Sequence, residues 1–151
     1  MENIKKISSD LTAGGQLTPE QFQQAAQSGF NSVLNLRSTD EQGFLTSEQQ
    51  LVESAGLQYK NIPVKPNAIS EELTTEVLKQ IDDLPKPALI HCASGMRAGA
   101  MAFMHLATRQ GLTPEQVFSK AAEAGFDCNA NPQLKQFLEH YISAHSQKKV
   151  K

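Results

Sequence analysis

The sequence lacks the features that mark several large classes of protein. Its formal net charge is only −2 over 151 residues, which argues against a protein that binds nucleic acid by neutralising phosphates. No apolar run is long enough to cross a bilayer, so we expect no membrane partner. Residues 1–10 are polar and contain no secretory signal, which favours the cytoplasm, or the periplasm if a leader has been removed.

Residues that could bind a metal or form a disulfide are also scarce. The two cysteines, Cys92 and Cys128, are too few for a disulfide framework, so a free and reactive thiol is the more informative interpretation. His140 and His145 do not have the spacing of metal ligands, and no other cluster suggests zinc. We therefore expect neither a metal nor another cofactor.

Apolar runs and helix signals alternate along the chain. Capping patterns at Thr18, Ser47, Ser70 and Thr113 predict helix starts. Short apolar runs that predict strands lie between them, at Phe30–Leu36, Leu57–Val64 and Ala88–His91. This alternation is typical of an α/β fold with a central, mostly parallel sheet flanked by helices.

The ends of the chain complete this prediction. Ile4–Ile7 and Leu11–Ala13 could add edge strands, and Arg97–Ala144 predicts three consecutive helices. No linker divides the sequence, so we expect one domain over residues 1–146 and a solvated basic tail over 147–151.

Polar side chains follow the predicted strands, where open α/β sheets bind their ligands. Arg37 and Asp40 follow the first run, Lys65 the second, and His91 and Cys92 the third. We expect Arg37 and Asp40 to form a structural pair that supports the site. Lys65 is expected to be solvated, and His91 to orient the loop through a hydrogen bond.

The third strand leads into a loop that carries the strongest chemical signal. A buried strand, a cysteine, small residues and an arginine at a helix start predict an anion cradle made of backbone N–H groups. The same field favours the Cys92 thiolate, and the Arg97 guanidinium can bind two oxygens of an oxyanion. The alternatives are a packed thiol and a capping arginine. The predicted phosphate-binding loop comprises Ala93, Ser94, Gly95, Met96 and Arg97.

The cysteine–arginine loop resembles the signature of cysteine-dependent protein phosphatases. With Ala13–Leu17, Val33–Arg37 and Tyr59–Val64, it resembles the compact dual-specificity phosphatase fold. The whole set is most similar to bacterial phosphatase-like domains of the kind found fused to β-lactamase-like hydrolases. The resemblance implies that Cys92 attacks phosphorus to form a phosphocysteine while Arg97 and the loop amides hold the phosphoryl oxygens.

The chain departs from the usual phosphatase pattern in three places. Four residues rather than five separate Cys92 from Arg97, a spacing that is similar to rhodanese-type sulfurtransferases. Ala98 stands where a serine or threonine is usual. The segment from Lys65 to Ala68 has no aspartate to serve as a general acid, and Asp40 or Glu41 could replace it from a neighbouring loop.

Three functions therefore remain open. The first is a phosphatase-like hydrolase that acts, possibly weakly, on a phosphorylated small molecule or a phosphoprotein. The second is a sulfurtransferase that carries a persulfide on Cys92, and the third is an oxyanion-binding module without catalysis. Elsewhere, His105 is expected to be a satisfied core histidine, and Cys128 a packed thiol or a redox partner of Cys92.

Overall fold

A computed structural model describes residues 4–65 and 68–146. The basic tail 147–151 and Asn67, which follows the second predicted strand, lie outside the described residues. The strands are β1 (Ile4–Lys6), β2 (Leu11–Gly14), β3 (Ser32–Asn35), β4 (Gln58–Asn61) and β5 (Ala88–His91). The helices are α1 (Pro19–Gln27), α2 (Glu48–Ser54), α3 (Glu71–Asp83), α4 (Met96–Gln110), α5 (Pro114–Ala124) and α6 (Pro132–Ser146).

The five strands form one sheet in the order β1-β2-β5-β3-β4. Only β1 runs antiparallel to its neighbour, and β2, β5, β3 and β4 pair in parallel. The predicted mostly parallel sheet and the three C-terminal helices are confirmed. The prediction of Leu11–Ala13 as an edge strand is wrong, because β2 lies between β1 and β5.

Alternating side chains of the central strands build a core on each face of the sheet. Val33 and Leu89 pack with the smaller cluster, which α1 and α2 cover with Phe22 and Val52. The next residue of each strand, Leu34 or Ile90, points to the larger cluster formed with α3–α6. The sheet is therefore covered on both faces, and ligands must approach it from an edge.

Helix α4 is the centre of the larger core. Eleven of its fifteen residues are buried, in keeping with the nearly uniform apolar character of its sequence. Gly99 lets the ring of Phe126 lie directly against the helix, since a Cβ on Gly99 would stand 2.2 Å from a ring carbon. The end of β5 therefore leads into a helix that is largely buried.

Helix starts follow the capping patterns in most cases. Thr18 and Thr113 form complete capping boxes, and Ser70 accepts a hydrogen bond from the Leu73 N–H. The helix start predicted at Ser47 is confirmed, since Ser47 is the N-cap of α2, but its side chain makes no capping bond. No helix among the described residues is both long and apolar enough to span a membrane. That residues 1–146 make a single domain stays a prediction.

Candidate active site

The loop from Cys92 to Gly95 joins the buried strand β5 to the start of α4. The Cys92 N–H donates to the Gly14 carbonyl at 3.1 Å, and the Gln16 N–H donates to the Ala93 carbonyl at 3.1 Å. Gly95 caps α4 with φ +100°, and a Cβ there would stand 3.4 Å from the backbone of Gly14. The segment after β2 thus fixes the outside of the loop, and glycine meets the need for a left-handed residue at the turn.

The Cys92 thiol is buried at the base of this loop. Its Sγ accepts hydrogen bonds from the Gly95 N–H at 3.1 Å and the Ala98 N–H at 3.4 Å. Both donors belong to the first turn of α4 or its cap, where the helix dipole adds positive potential. Such donors stabilise a thiolate more than a thiol.

Arg97 is buried beside the cysteine and held by a carboxylate. Its Nη1 donates to Glu41 Oε2 at 2.7 Å and to the Val64 carbonyl at 2.8 Å, and its Nη2 donates to Glu41 Oε1 at 3.1 Å. Burial opposes the charged guanidinium, yet Glu41 and the nearby Cys92 raise the pKa of Arg97 above its ordinary value. These bonds use both Nη1–H groups and one Nη2–H, and the Cys92 side chain also lies within hydrogen-bonding reach of the guanidinium.

Glu41 lies between two arginines. Hydrogen bonds from Arg97 outweigh the effect of burial and, with those from Ser38 and Arg37, lower the pKa of Glu41 to about 2. Near neutral pH the side chain is therefore an acceptor with no proton to give. The prediction that Glu41 could replace the general acid is wrong, since its observed role is to hold Arg97.

The predicted pair of Arg37 and Asp40 does not form. Arg37 is buried, and its Nε donates to Glu41 Oε1 at 3.2 Å. The largely exposed Asp40 accepts a bond from Lys65 Nζ at 3.2 Å instead. Lys65 is exposed, as predicted. Of these residues, the structure places Arg37 in the network behind the loop and Asp40 with Lys65 at the surface.

His91 contacts a carboxylate that the sequence analysis missed. Its Nε2 lies 2.5 Å from Glu48 Oε2, and both side chains are fully buried. The other Glu48 oxygen accepts a bond from Gln16 Nε2 at 3.0 Å, while Gln16 Oε1 accepts one from Arg37 Nη1 at 2.8 Å. A continuous chain of hydrogen bonds therefore runs from His91 to Arg97. It passes through Glu48, Gln16, Arg37 and Glu41.

Comparison with known proteins identifies the family. Residues 3–100 match the family described as "Beta-lactamase hydrolase-like protein, phosphatase-like domain". The chain belongs to this family. The match runs from β1 into α4, so it contains Glu41, Glu48 and the whole cysteine loop. The family resemblance predicted from the sequence is confirmed, and the chain is a phosphatase-like domain.

Curated relatives and solved structures agree with this family. The chain is 33% identical over 98 residues to a β-lactamase hydrolase-like protein of Xylella fastidiosa (strain Temecula1), with 63% of this chain and 23% of the relative covered. It thus spans about a quarter of that relative's length. A candidate phosphatase from Shewanella putrefaciens CN-32 superimposes with a TM-score of 0.77 and 26% identity, over 94% of this chain and 89% of the other.

A more distant structure shares the fold. The core catalytic domain of the PP-IP phosphatase SIW14 from S. cerevisiae, in complex with citrate, has a TM-score of 0.75 and 20% identity. The superposition covers 98% of this chain and 93% of the yeast domain. Helices α5 and α6, which lie beyond the family match, are therefore part of the shared fold. The predicted dual-specificity-phosphatase-like fold class is confirmed.

A cleft borders the cysteine loop of the phosphatase-like domain. Its volume is about 270 Å³, and its walls include Lys5, Ser94, Met96, Phe126 and Asp127. A second cavity of about 400 Å³ shares Phe126 and Asp127 and reaches Cys128. Neither cavity is lined by Cys92 or Arg97.

The other residues singled out in the sequence lie away from the loop. His105 is mostly buried and hydrogen-bonds Asp82 Oδ1 at 2.7 Å, which fits a satisfied histidine. Cys128 is a free, half-buried thiol whose pKa is raised by burial. A raised pKa disfavours the thiolate, so Cys128 has the properties of a packed thiol.

Proposed function

We propose that the domain is a cysteine-dependent hydrolase of phosphomonoesters with Cys92 as the nucleophile. The observation that carries the proposal is the buried Cys92 Sγ, which accepts two N–H groups from the start of α4 beside an arginine held by Glu41. A nucleophile, oxyanion donors and a fixed cation are the groups that phosphoryl transfer to a thiolate needs.

The reaction has two steps. The Cys92 thiolate attacks phosphorus, an S–P bond forms, and the bond to the leaving oxygen breaks. Arg97 and the N–H groups of the loop from Ala93 to Met96 hold the remaining phosphoryl oxygens. Water then attacks the phosphocysteine, the S–P bond breaks, and inorganic phosphate leaves while the thiolate is restored.

The rate of the first step depends on how readily the leaving group departs without a proton. Glu41 is ionised, and the segment from Lys65 to Ala68 contains no carboxylate. Loss of a general acid costs a factor of roughly 10² to 10⁴ for poor leaving groups. We therefore infer that phosphorylated small molecules or phosphoproteins with good leaving groups are hydrolysed best, and that turnover of other phosphomonoesters is weak.

The first test is hydrolysis of p-nitrophenyl phosphate, whose leaving group needs little acid assistance. We expect turnover by the wild type, none by Cys92→Ser, and wild-type turnover by the matched control Cys128→Ser. Phenyl phosphate, a poorer leaving group, should react much more slowly. Equal turnover by Cys92→Ser and the wild type would contradict the proposal. Phosphate binding that Arg97→Ala abolishes, without turnover, would instead establish a binding module.

Sulfur transfer is the second candidate function, and the short loop favours it. Only four residues separate Cys92 from Arg97, which leaves a smaller cradle around the sulfur that Gly95 and Ala98 contact. The thiolate would attack the outer sulfur of thiosulfate, forming a persulfide and releasing sulfite. Mass spectrometry should then show an adduct of about 32 Da on the wild type and on Cys128→Ser but not on Cys92→Ser. An unmodified wild type would exclude this donor.

A further inference from the structure

The buried pair of His91 and Glu48 lies behind the cysteine loop. His91 Nε2 lies 2.5 Å from a Glu48 oxygen, and Nδ1 lies 3.4 Å from the Cys92 carbonyl oxygen. The imidazole thus connects the Glu48 side chain to the backbone at Cys92.

The same pair helps to anchor the loop from outside. The His91 Nδ1–H holds the Cys92 carbonyl, and the Gln16 backbone N–H holds the Ala93 carbonyl at 3.1 Å. In a trans peptide the C=O and N–H point in opposite directions. Holding these two carbonyls outward therefore turns the N–H groups of Ala93 and Ser94 toward the other side of the loop, where an anion would lie.

One carboxylate connects both anchors. Glu48 accepts from His91 with one oxygen and from the Gln16 side chain with the other, at 3.0 Å. The Phe22 ring lies 5.9 Å from the imidazole centre, and Tyr59 of β4 interacts electrostatically with Glu48. Burial and the proximity of Glu48 raise the pKa of Tyr59 to about 12, against its hydrogen bond with Asn35.

We propose that Glu48 is a positioning residue of the candidate active site. Through His91 and Gln16, it aims the first N–H groups of the loop at the bound anion. The inference rests on the proposed function, since that function makes the loop the anion cradle. It differs from that function in what it predicts, because phosphate binding does not require turnover.

Glu48→Gln tests the proposal, with Glu53→Gln as the matched control. Glu53 lies on the same helix but is exposed, and its side chain accepts a hydrogen bond from Gln49, one turn earlier in the helix. Both substitutions are made in a Cys128→Ser background, so that Cys92 is the only thiol. The readout is the affinity for inorganic phosphate, measured by calorimetry.

Misaimed N–H groups should weaken phosphate binding by about tenfold in Glu48→Gln. Glu53→Gln should match its parent. Identical affinities in the two variants would overturn the proposal. A parent protein that binds phosphate without hydrolysing any ester would overturn the proposed function but leave this comparison intact.

If Glu48→Gln shows no cooperative unfolding transition, and is therefore not folded, a second variant still tests the proposal. Gln16→Ala removes the link from Glu48 to the Ala93 anchor but leaves the pair of His91 and Glu48 in place. We expect phosphate affinity to fall by about threefold. Unchanged phosphate affinity in Gln16→Ala would contradict the anchoring role.

Discussion

Two clusters in this domain use the same chemistry in different surroundings. At the sheet edge, Glu41 bridges Arg37 and Arg97, whose side chains are 5% and 8% exposed. Nearer the surface, Asp82 bridges the mostly buried His105 and the partly exposed Arg109 at 2.7 and 2.6 Å, with Asp82 43% exposed. The two clusters therefore differ mainly in how far the carboxylate and its arginine are buried.

Burial gives the two clusters different consequences. Breaking a buried ion pair leaves an uncompensated charge and costs about 3–5 kcal/mol, whereas an exposed pair contributes about 0–1 kcal/mol. The buried cluster also fixes a guanidinium beside Cys92. The surface cluster only ties the C-terminal end of α3 to α4. Stability and anion binding should therefore depend on the first cluster and hardly on the second.

Glu41→Gln should have the largest effect. The amide cannot compensate two buried guanidinium groups, so we expect the free energy of unfolding to fall by about 3 kcal/mol. Arg97 would also lose its bidentate partner, and hydrolysis of p-nitrophenyl phosphate should fall by roughly 100-fold. Urea denaturation and steady-state kinetics measure the two effects. A variant as stable and active as the wild type would show that Glu41 does not hold Arg97 in solution.

Acid should reveal the same cluster without a mutation. The pKa of Glu41 is lowered from 4.5 to about 2 in the folded protein, so the folded state binds this proton less readily than the unfolded state. The stabilisation is complete above pH 4.5 and is lost as the pH falls to about 2. Across that range, the stability difference between the wild type and Glu41→Gln should shrink. A constant difference in urea denaturation would contradict the assigned cause.

The clusters also show what the sequence could and could not predict. The interior strands and the Cys92–Arg97 loop follow from local patterns: short apolar runs, then a cysteine, small residues and an arginine. The partner of Arg97 does not follow, because the turn after Ser38 decides whether Asp40 or Glu41 faces inward. In the sequence, Glu48 stands out only as a residue in the first turn of a predicted helix. The packing of α2 brings it to His91, which lies 43 residues later in the chain.

The surface cluster supplies the contrasting experiment. We expect Asp82→Asn to lower the free energy of unfolding by less than about 1 kcal/mol and to leave phosphate binding unchanged. Burial lowers the pKa of His105, and the hydrogen bond to Asp82 partly opposes this. The substitution should therefore lower the pKa of His105 further, as NMR titration of its ring would show. A loss of stability close to that of Glu41→Gln would mean that burial does not separate the clusters.

Asp40→Asn should have the smallest effect and makes the comparison sharpest, because Asp40 is next to Glu41 in sequence. Its side chain is 68% exposed, and its partner Lys65 is 54% exposed. Water screens such a pair, so we expect a change in unfolding free energy of about 0.5 kcal/mol or less.

Asp40 was also a candidate for the missing acid, and the ratio of p-nitrophenyl to phenyl phosphate turnover tests that role. Because Asp40 pairs with Lys65 at the surface, we expect an unchanged ratio. A selective loss of phenyl phosphate turnover would instead assign the proton to Asp40.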